Sequence, residues 1–251
     1  MVASLGSYGG ASRAEMDGVA DRVQNVDSLA GVVFDLDGVL ADTERLHLDL
    51  TSTSLGVLGH SHDPEELRAL VGLRDQECDD WLRRRFGRDF DIRKFLVEYG
   101  NLKRAALRDG VPRRPCVPSA VLRLSERFTI GVATGSSRST ALHAIASLGL
   151  DSLISCLISG EDVSVGKPDP ESYLQAASAM GLLPGQCAAV EDSLPGVQSA
   201  RAAGFRVYVV PDQVPSTMFD PFGYDHLFPD LGSLATALLA CGPEAVDGQR
   251  G

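Results

Sequence analysis

The chain is 251 residues long, 44% hydrophobic and 23% charged, proportions of a soluble globular protein with one large domain or two modest ones. Its formal charge of −11 excludes a nucleic-acid binder, whose phosphate partners need a basic face. Any phosphate site on such a chain must be locally positive.

Residues 1–28 carry Gly, Ser and Asp and little hydrophobic character. They read as a flexible tail without the apolar core of a signal peptide. Gly31-Val32-Val33-Phe34 then runs unbroken into Asp35-Leu36-Asp37-Gly38-Val39-Leu40. A short apolar run closed by a turn residue predicts a buried strand of a parallel sheet. Two carboxylates would stand at its end, where open α/β sheets place their ligand crevice. Like charges about 4 Å apart repel by roughly 4 kcal/mol at an effective dielectric near 20. A divalent cation removes that cost, and oxygen-only ligands suit magnesium. The plainer alternative is a strand-end turn with Gly38 at positive φ. A calcium loop fails, because Val39 stands where its third oxygen ligand would be.

From Thr43 to Arg108 the pattern is helical. Thr43 can cap a helix through Leu46, Leu48 and Leu50. Asp63-Pro64 opens another over Glu65 to Val71, and Asp75 to Phe86 is stopped by Gly87. Ile92, Phe95, Leu96, Tyr99, Leu102 and Ala106 form a helical stripe. Prolines and arginines at 112–118 lead out, and strand and helix signals then alternate. Strands are expected at Thr129–Ala133, Cys156–Ile158, Cys187–Val190 and Arg206–Val210. Helices are expected at Thr140–Leu148, Asp169–Met180, Gly196–Ala203 and Leu234–Leu239. Such alternation means a doubly wound parallel sheet, a Rossmann-like α/β core at 29–42 and 113–240. The all-α cap at 43–112 would sit over the strand ends as a lid, with 241–251 a polar tail. Cys78, Cys116, Cys156, Cys187 and Cys241 are odd in number and widely spaced, which suggests reduced thiols in a cytoplasmic compartment. No stretch approaches the roughly 18 apolar residues of a membrane span.

Polar groups recur where strands end: Asp35 and Asp37, then Thr134-Gly135-Ser136-Ser137, then Glu191-Asp192. Lys167, in Gly166-Lys167-Pro168-Asp169-Pro170, precedes a helix. Each alone can be a capping turn or a solvated lysine. Together they supply carboxylates, a hydroxyl beside backbone amides, and an ammonium, the parts that phosphoryl transfer with magnesium requires.

In these ordered motifs the chain resembles the haloacid dehalogenase (HAD) superfamily, in the β-phosphoglucomutase and sugar-phosphatase subgroup with a helical cap after the first motif. The resemblance spans roughly 31–239. It implies Asp35 as the nucleophile that forms an aspartyl-phosphate and Asp37 as general acid, then base. It implies Thr134 and Gly135, with Ser136, on the phosphoryl oxygens and Lys167 balancing charge. Mg2+ would be held by Asp35, Asp37 (through its backbone carbonyl), Glu191 and Asp192. Asp37 also points to phosphate esters, since family members that cleave carbon–halogen or carbon–phosphorus bonds lack it.

Asp42-Thr43-Glu44 with His47 resembles the hinge and first cap helix of that subgroup, which puts His47 at the substrate. The alternative is a half-buried helix histidine. Arg74, in Gly72-Leu73-Arg74-Asp75-Gln76, lies one place from the arginine with which β-phosphoglucomutases grip a distal phosphate. That displacement favours a phosphatase acting on a small phosphorylated metabolite over a mutase or a silent phosphate-binding domain. The expected enzyme is a monomer without nucleic-acid or membrane partners. Cys116 stands where relatives commonly have glycine, and positive φ there would strain it by about a kcal/mol. Arg83, Arg84, Arg85 and Arg88 read as a solvated cap face.

Overall fold

The computed structural model describes residues 28–70, 75–87, 89–108, 110–212, 216–220 and 223–240. The proposed tails and Arg74 and Arg88 lie outside the described residues, apart from Ser28 of the first tail.

Among the described residues six strands form one sheet: β1 (Gly31–Phe34), β2 (Thr129–Ala133), β3 (Ile154–Ile158), β4 (Cys187–Glu191), β5 (Arg206–Val209) and β6 (His226–Leu227). Every pairing is parallel, in the order β3-β2-β1-β4-β5-β6. The order reverses direction at β1, whose neighbours are β2 and β4. At such a switch point the connections leave to opposite faces and open a crevice beyond the strand ends.

The strand period of two assigns the core. Val32 and Phe34 of β1, with Ala188 and Val190 of β4, enter one apolar cluster. It is completed by α4 (Val117–Ser125), α5 (Arg138–Ser147) and α8 (Leu231–Ala240). Val33, Cys187 and Ala189 enter the other cluster, beneath α6 (Glu171–Ala179) and α7 (Leu194–Ala202). This explains the uninterrupted apolar run of β1, which is buried on both sides.

Between β1 and α4 lie α1 (Thr43–Val57), α2 (Asp75–Phe86) and α3 (Ile92–Arg108). Leu55, Leu67, Leu70, Leu82, Phe90 and Phe95 give these helices an apolar cluster of their own. The two chain crossings run side by side: the amide of Asp42 donates to Pro112 O at 2.8 Å, and that of Arg114 to Leu40 O at 3.1 Å.

Local differences from the sequence reading have local causes. Asp42, not Thr43, is the N-cap of α1, and no side chain caps that helix. Asp63-Pro64 opens a 3-10 helix, Pro64–Leu70, rather than an α-helix. Helix α4 carries no clear sequence signal, because Pro112, Pro115 and Pro118 crowd its start. Two-residue β6 is too short for any periodicity to show. Cys116 has φ 64°, the only described residue other than glycine with positive φ. The strain of a left-handed residue, about 1–2 kcal/mol, exceeds the extra chain entropy of glycine, about 0.4–1 kcal/mol. Cys116→Gly should therefore raise unfolding stability by about 0.5–1 kcal/mol, read from the denaturant midpoint at unchanged slope.

Candidate active site

Asp35 follows β1, and Glu191 and Asp192 close β4, its neighbour across the switch point. The amide of Asp35 donates to Val190 O at 2.9 Å, which locks the two strand ends in register. The carboxylates of Asp35, Glu191 and Asp192 each offer an oxygen within 4.8 Å of the others. All three residues are buried, at 7%, 0% and 8% exposure. Three acidic groups so placed need cations. Lys167 supplies one: its Nζ donates to Asp35 Oδ1 at 2.5 Å, Glu191 Oε1 at 2.6 Å and Ala133 O at 3.1 Å.

Glu191 is further held by its surroundings. Tyr173 OH donates to its Oε1 at 2.7 Å, and Ser193 Oγ to its Oε2 at 3.0 Å. The amides of Asp192 and Ser193 donate to Oε2 at 3.2 and 3.4 Å. Ser193 is also the N-cap of α7, accepting from the Gly196 amide. Glycine is required at two approaches. A Cβ at Gly196 would overlap the Glu191 carboxylate, and one at Gly38, where φ is +80°, would overlap Asp192 Oδ2.

Asp37 accepts three hydroxyls: Thr43 at 2.9 Å on Oδ1, and Thr134 at 3.1 Å and Ser136 at 2.8 Å on Oδ2. The loop after β2 is fixed for this by Thr134 N donating to Ile158 O and by the Ser136 amide donating to Thr134 Oγ1, at 2.9 and 3.0 Å. Gly135 fits against Gly160, where a Cβ would meet Gly135 O. Beyond Asp37 opens a cavity of about 290 Å³ between the sheet and the inserted helices. His47 lies in its wall, 2.8 Å through Nδ1 from Tyr99 OH.

Burial is the largest influence on Asp35. It pushes the carboxyl up to about 8; Lys167 opposes this, while Glu191 and Asp37 add to it. Asp192 is also raised well above the ordinary range, first by burial, then by Asp35 and Glu191. Burial opposes charge on Lys167, but Asp35 and Glu191 outweigh it and hold the ammonium above its ordinary value. Two carboxyls that resist ionising beside oxygen-only donors suit a hard divalent cation, which would reverse the electrostatics that raise them.

The structure thus gathers Asp35, Asp37, Thr134, Gly135, Ser136, Lys167, Glu191 and Asp192 around one crevice, with His47 facing the adjoining cavity. Tyr173, Tyr99 and Lys103 were not anticipated as site residues. Tyr173 carries no local motif. Tyr99 falls in the apolar stripe of its helix, although Lys103 one turn further on the same face signals a polar edge.

The haloacid dehalogenase-like hydrolase family model matches residues 29–204, and the chain belongs to that family. It is similar to fructose-1-phosphate phosphatase YqaB of Escherichia coli K12, 33% identical over 175 residues, 70% of this chain and 93% of that protein. It is also 28% identical over 184 residues to the phosphorylated carbohydrates phosphatase of Thermotoga maritima, covering 72% of this chain and 85% of the relative. A HAD family hydrolase from Deinococcus radiodurans R1, solved with bound phosphate and sodium, shares the fold. Its TM-score is 0.74 at 24% identity, over 85% of this chain and 96% of that one. Among the described residues no helix is long and apolar enough to cross a membrane.

The raised carboxyl of Asp35 has a consequence for stability. Its folded form binds a proton more tightly than the unfolded chain, so it draws stability away as pH rises from 3.8 towards about 8. A cation that binds only the ionised folded site should recover that loss. Thermal unfolding without divalent metal should thus show stability falling across this window, and 10–100-fold excess magnesium over its Kd should flatten the fall. A slope identical with and without magnesium would contradict it.

Proposed function

We propose that the enzyme is a magnesium-dependent phosphatase of small phosphomonoesters, its substrates sugar phosphates like those named for its relatives. The observation that carries this reading is the buried Asp35–Lys167 contact beside two further carboxylates, next to the hydroxyls of Thr134 and Ser136. Asp35, Asp192 and the backbone of Asp37 would hold the metal. Glu191 is the less available carboxylate, since both its oxygens already accept hydrogen bonds. When bound, magnesium supplies charge neutralisation for the phosphoryl oxygens.

Asp35 is the nucleophile. Its carboxylate oxygen forms a bond to phosphorus as the ester oxygen departs with the bonding pair and takes a proton from Asp37. Asp37 then removes a proton from water, whose oxygen attacks phosphorus and frees phosphate and the Asp35 carboxylate. Thr134 and Ser136 hydroxyls, with the Gly135 amide, receive phosphoryl oxygens. In the structure the two hydroxyls donate to Asp37 instead. An arriving phosphoryl group competes for them and releases Asp37 towards the leaving oxygen. Lys167 opposes the protonation that burial favours at Asp35 and offsets negative charge beside an anionic substrate, which a net charge of −11 would otherwise repel.

In this proposal residues 43–112 form a cap that covers the reaction and chooses the leaving group, while 29–42 and 113–240 carry the chemistry. The enzyme acts in the cytoplasm as a monomer. The test is phosphate release from a panel of phosphomonoesters with and without magnesium. Asp35→Asn should lower kcat by about a thousandfold or more, and chelation should abolish turnover until magnesium returns. Hexose 1-phosphates should give free phosphate rather than 6-phosphates. Undiminished activity in the Asp35→Asn enzyme would refute the proposal.

A further inference from the structure

Helix α3 presents Tyr99 and Lys103 to the cavity, four residues apart and so on one face. Tyr99 OH is tied to His47 Nδ1 at 2.8 Å, with the rings edge to face at 5.4 Å. This joins α3 to α1 and fixes the wall from which Lys103 extends. Lys103 is the only lysine or arginine among the described residues that line the cavity. It is exposed, and no ion pair engages it among the described residues. Aliphatic side chains line the cavity as well, Leu46 and Leu50 from α1 and Leu107 one turn beyond Lys103 on α3. The reactive end is marked by Asp37 and Ser136.

We infer that Lys103 is the specificity-determining residue of this enzyme, and that its ammonium donates to hydroxyls on the leaving group of a phosphorylated sugar or alditol. The inference rests on the phosphatase reading and goes beyond it by assigning the group that selects the alcohol. A polyhydroxylated carbon chain has two kinds of surface: hydroxyls that need donors and acceptors, and C–H edges that pack on aliphatic side chains. The cavity lining has both. An ammonium offers three donors and can serve several hydroxyls. A second phosphate would call for more than one cation or a guanidinium fork, and the described lining offers a single lysine. A cavity of about 290 Å³ also limits the leaving group to a compact one.

The test compares wild type, Lys103→Met and Lys103→Arg with magnesium present, on fructose 1-phosphate, a hexitol phosphate, fructose 1,6-bisphosphate and p-nitrophenyl phosphate. Lys103→Met should raise KM for the two hydroxylated monophosphates at least tenfold with kcat within threefold. It should leave p-nitrophenyl phosphate turnover unchanged, and Lys103→Arg should restore most of the KM. Unchanged KM for the hydroxylated monophosphates overturns the assignment. So does equal loss on p-nitrophenyl phosphate, which would mean a structural role. A wild-type preference for the bisphosphate that Lys103→Met removes would also overturn it, in favour of a distal anion. Absence of phosphate release from every ester by the wild type is the separate result that defeats the phosphatase reading, and this inference with it.

Discussion

Everything in the crevice depends on one buried ammonium. Lys167 stands between Asp35 and Glu191, 13% exposed along its side chain, with contacts of 2.5 and 2.6 Å. Removing charged groups from water costs several kcal/mol each, and a buried pair returns that only when its remaining hydrogen bonds are filled. Here they are filled: Tyr173, Ser193 and two amides complete Glu191, and Ala133 O completes Lys167. The network is built to keep Asp35 in place against burial, which pushes its proton affinity up. Fold stability and reactivity therefore meet in the same few atoms.

The sheet order makes this affordable. Reversal at β1 brings the ends of β1 and β4 together, so residues more than 150 positions apart in the chain become neighbours through strand register alone. Small residues on β4, Ala188 and Ala189, let helices close on both faces. Gly38 and Gly196 then allow carboxylates to approach backbone where any side chain would collide. The inserted helices bring their own apolar cluster and, among the described residues, line the cavity without a carboxylate.

Much of this was legible in the residues themselves. The apolar run into Asp35 and Asp37 announced a buried strand and a charged end, and the family motifs fixed the order of the rest. Cys116, which stands where relatives commonly have glycine, has the positive φ that a glycine there accommodates. Two contacts of the site join residues distant in sequence. Tyr173 reaches Glu191 across 18 residues and Tyr99 reaches His47 across 52, and no periodicity encodes either meeting. Thr43 was read as a helix cap because hydroxyls favour that place, yet its hydroxyl turns back to Asp37. A charged acceptor rewards a hydroxyl more than an exposed amide does. Helix α4 was hidden by its prolines, which are tolerated in a first turn.

The central claim is that Asp35 itself carries the phosphoryl group between the two half-reactions. Quenching the enzyme during turnover and reducing it with borohydride converts an acyl phosphate to the corresponding alcohol, which peptide mass spectrometry locates. The account predicts homoserine at position 35 and nowhere else, formed only when substrate and magnesium are both present. Phosphate release under the same conditions with residue 35 recovered as unmodified aspartate, or with the label on another side chain, would contradict it.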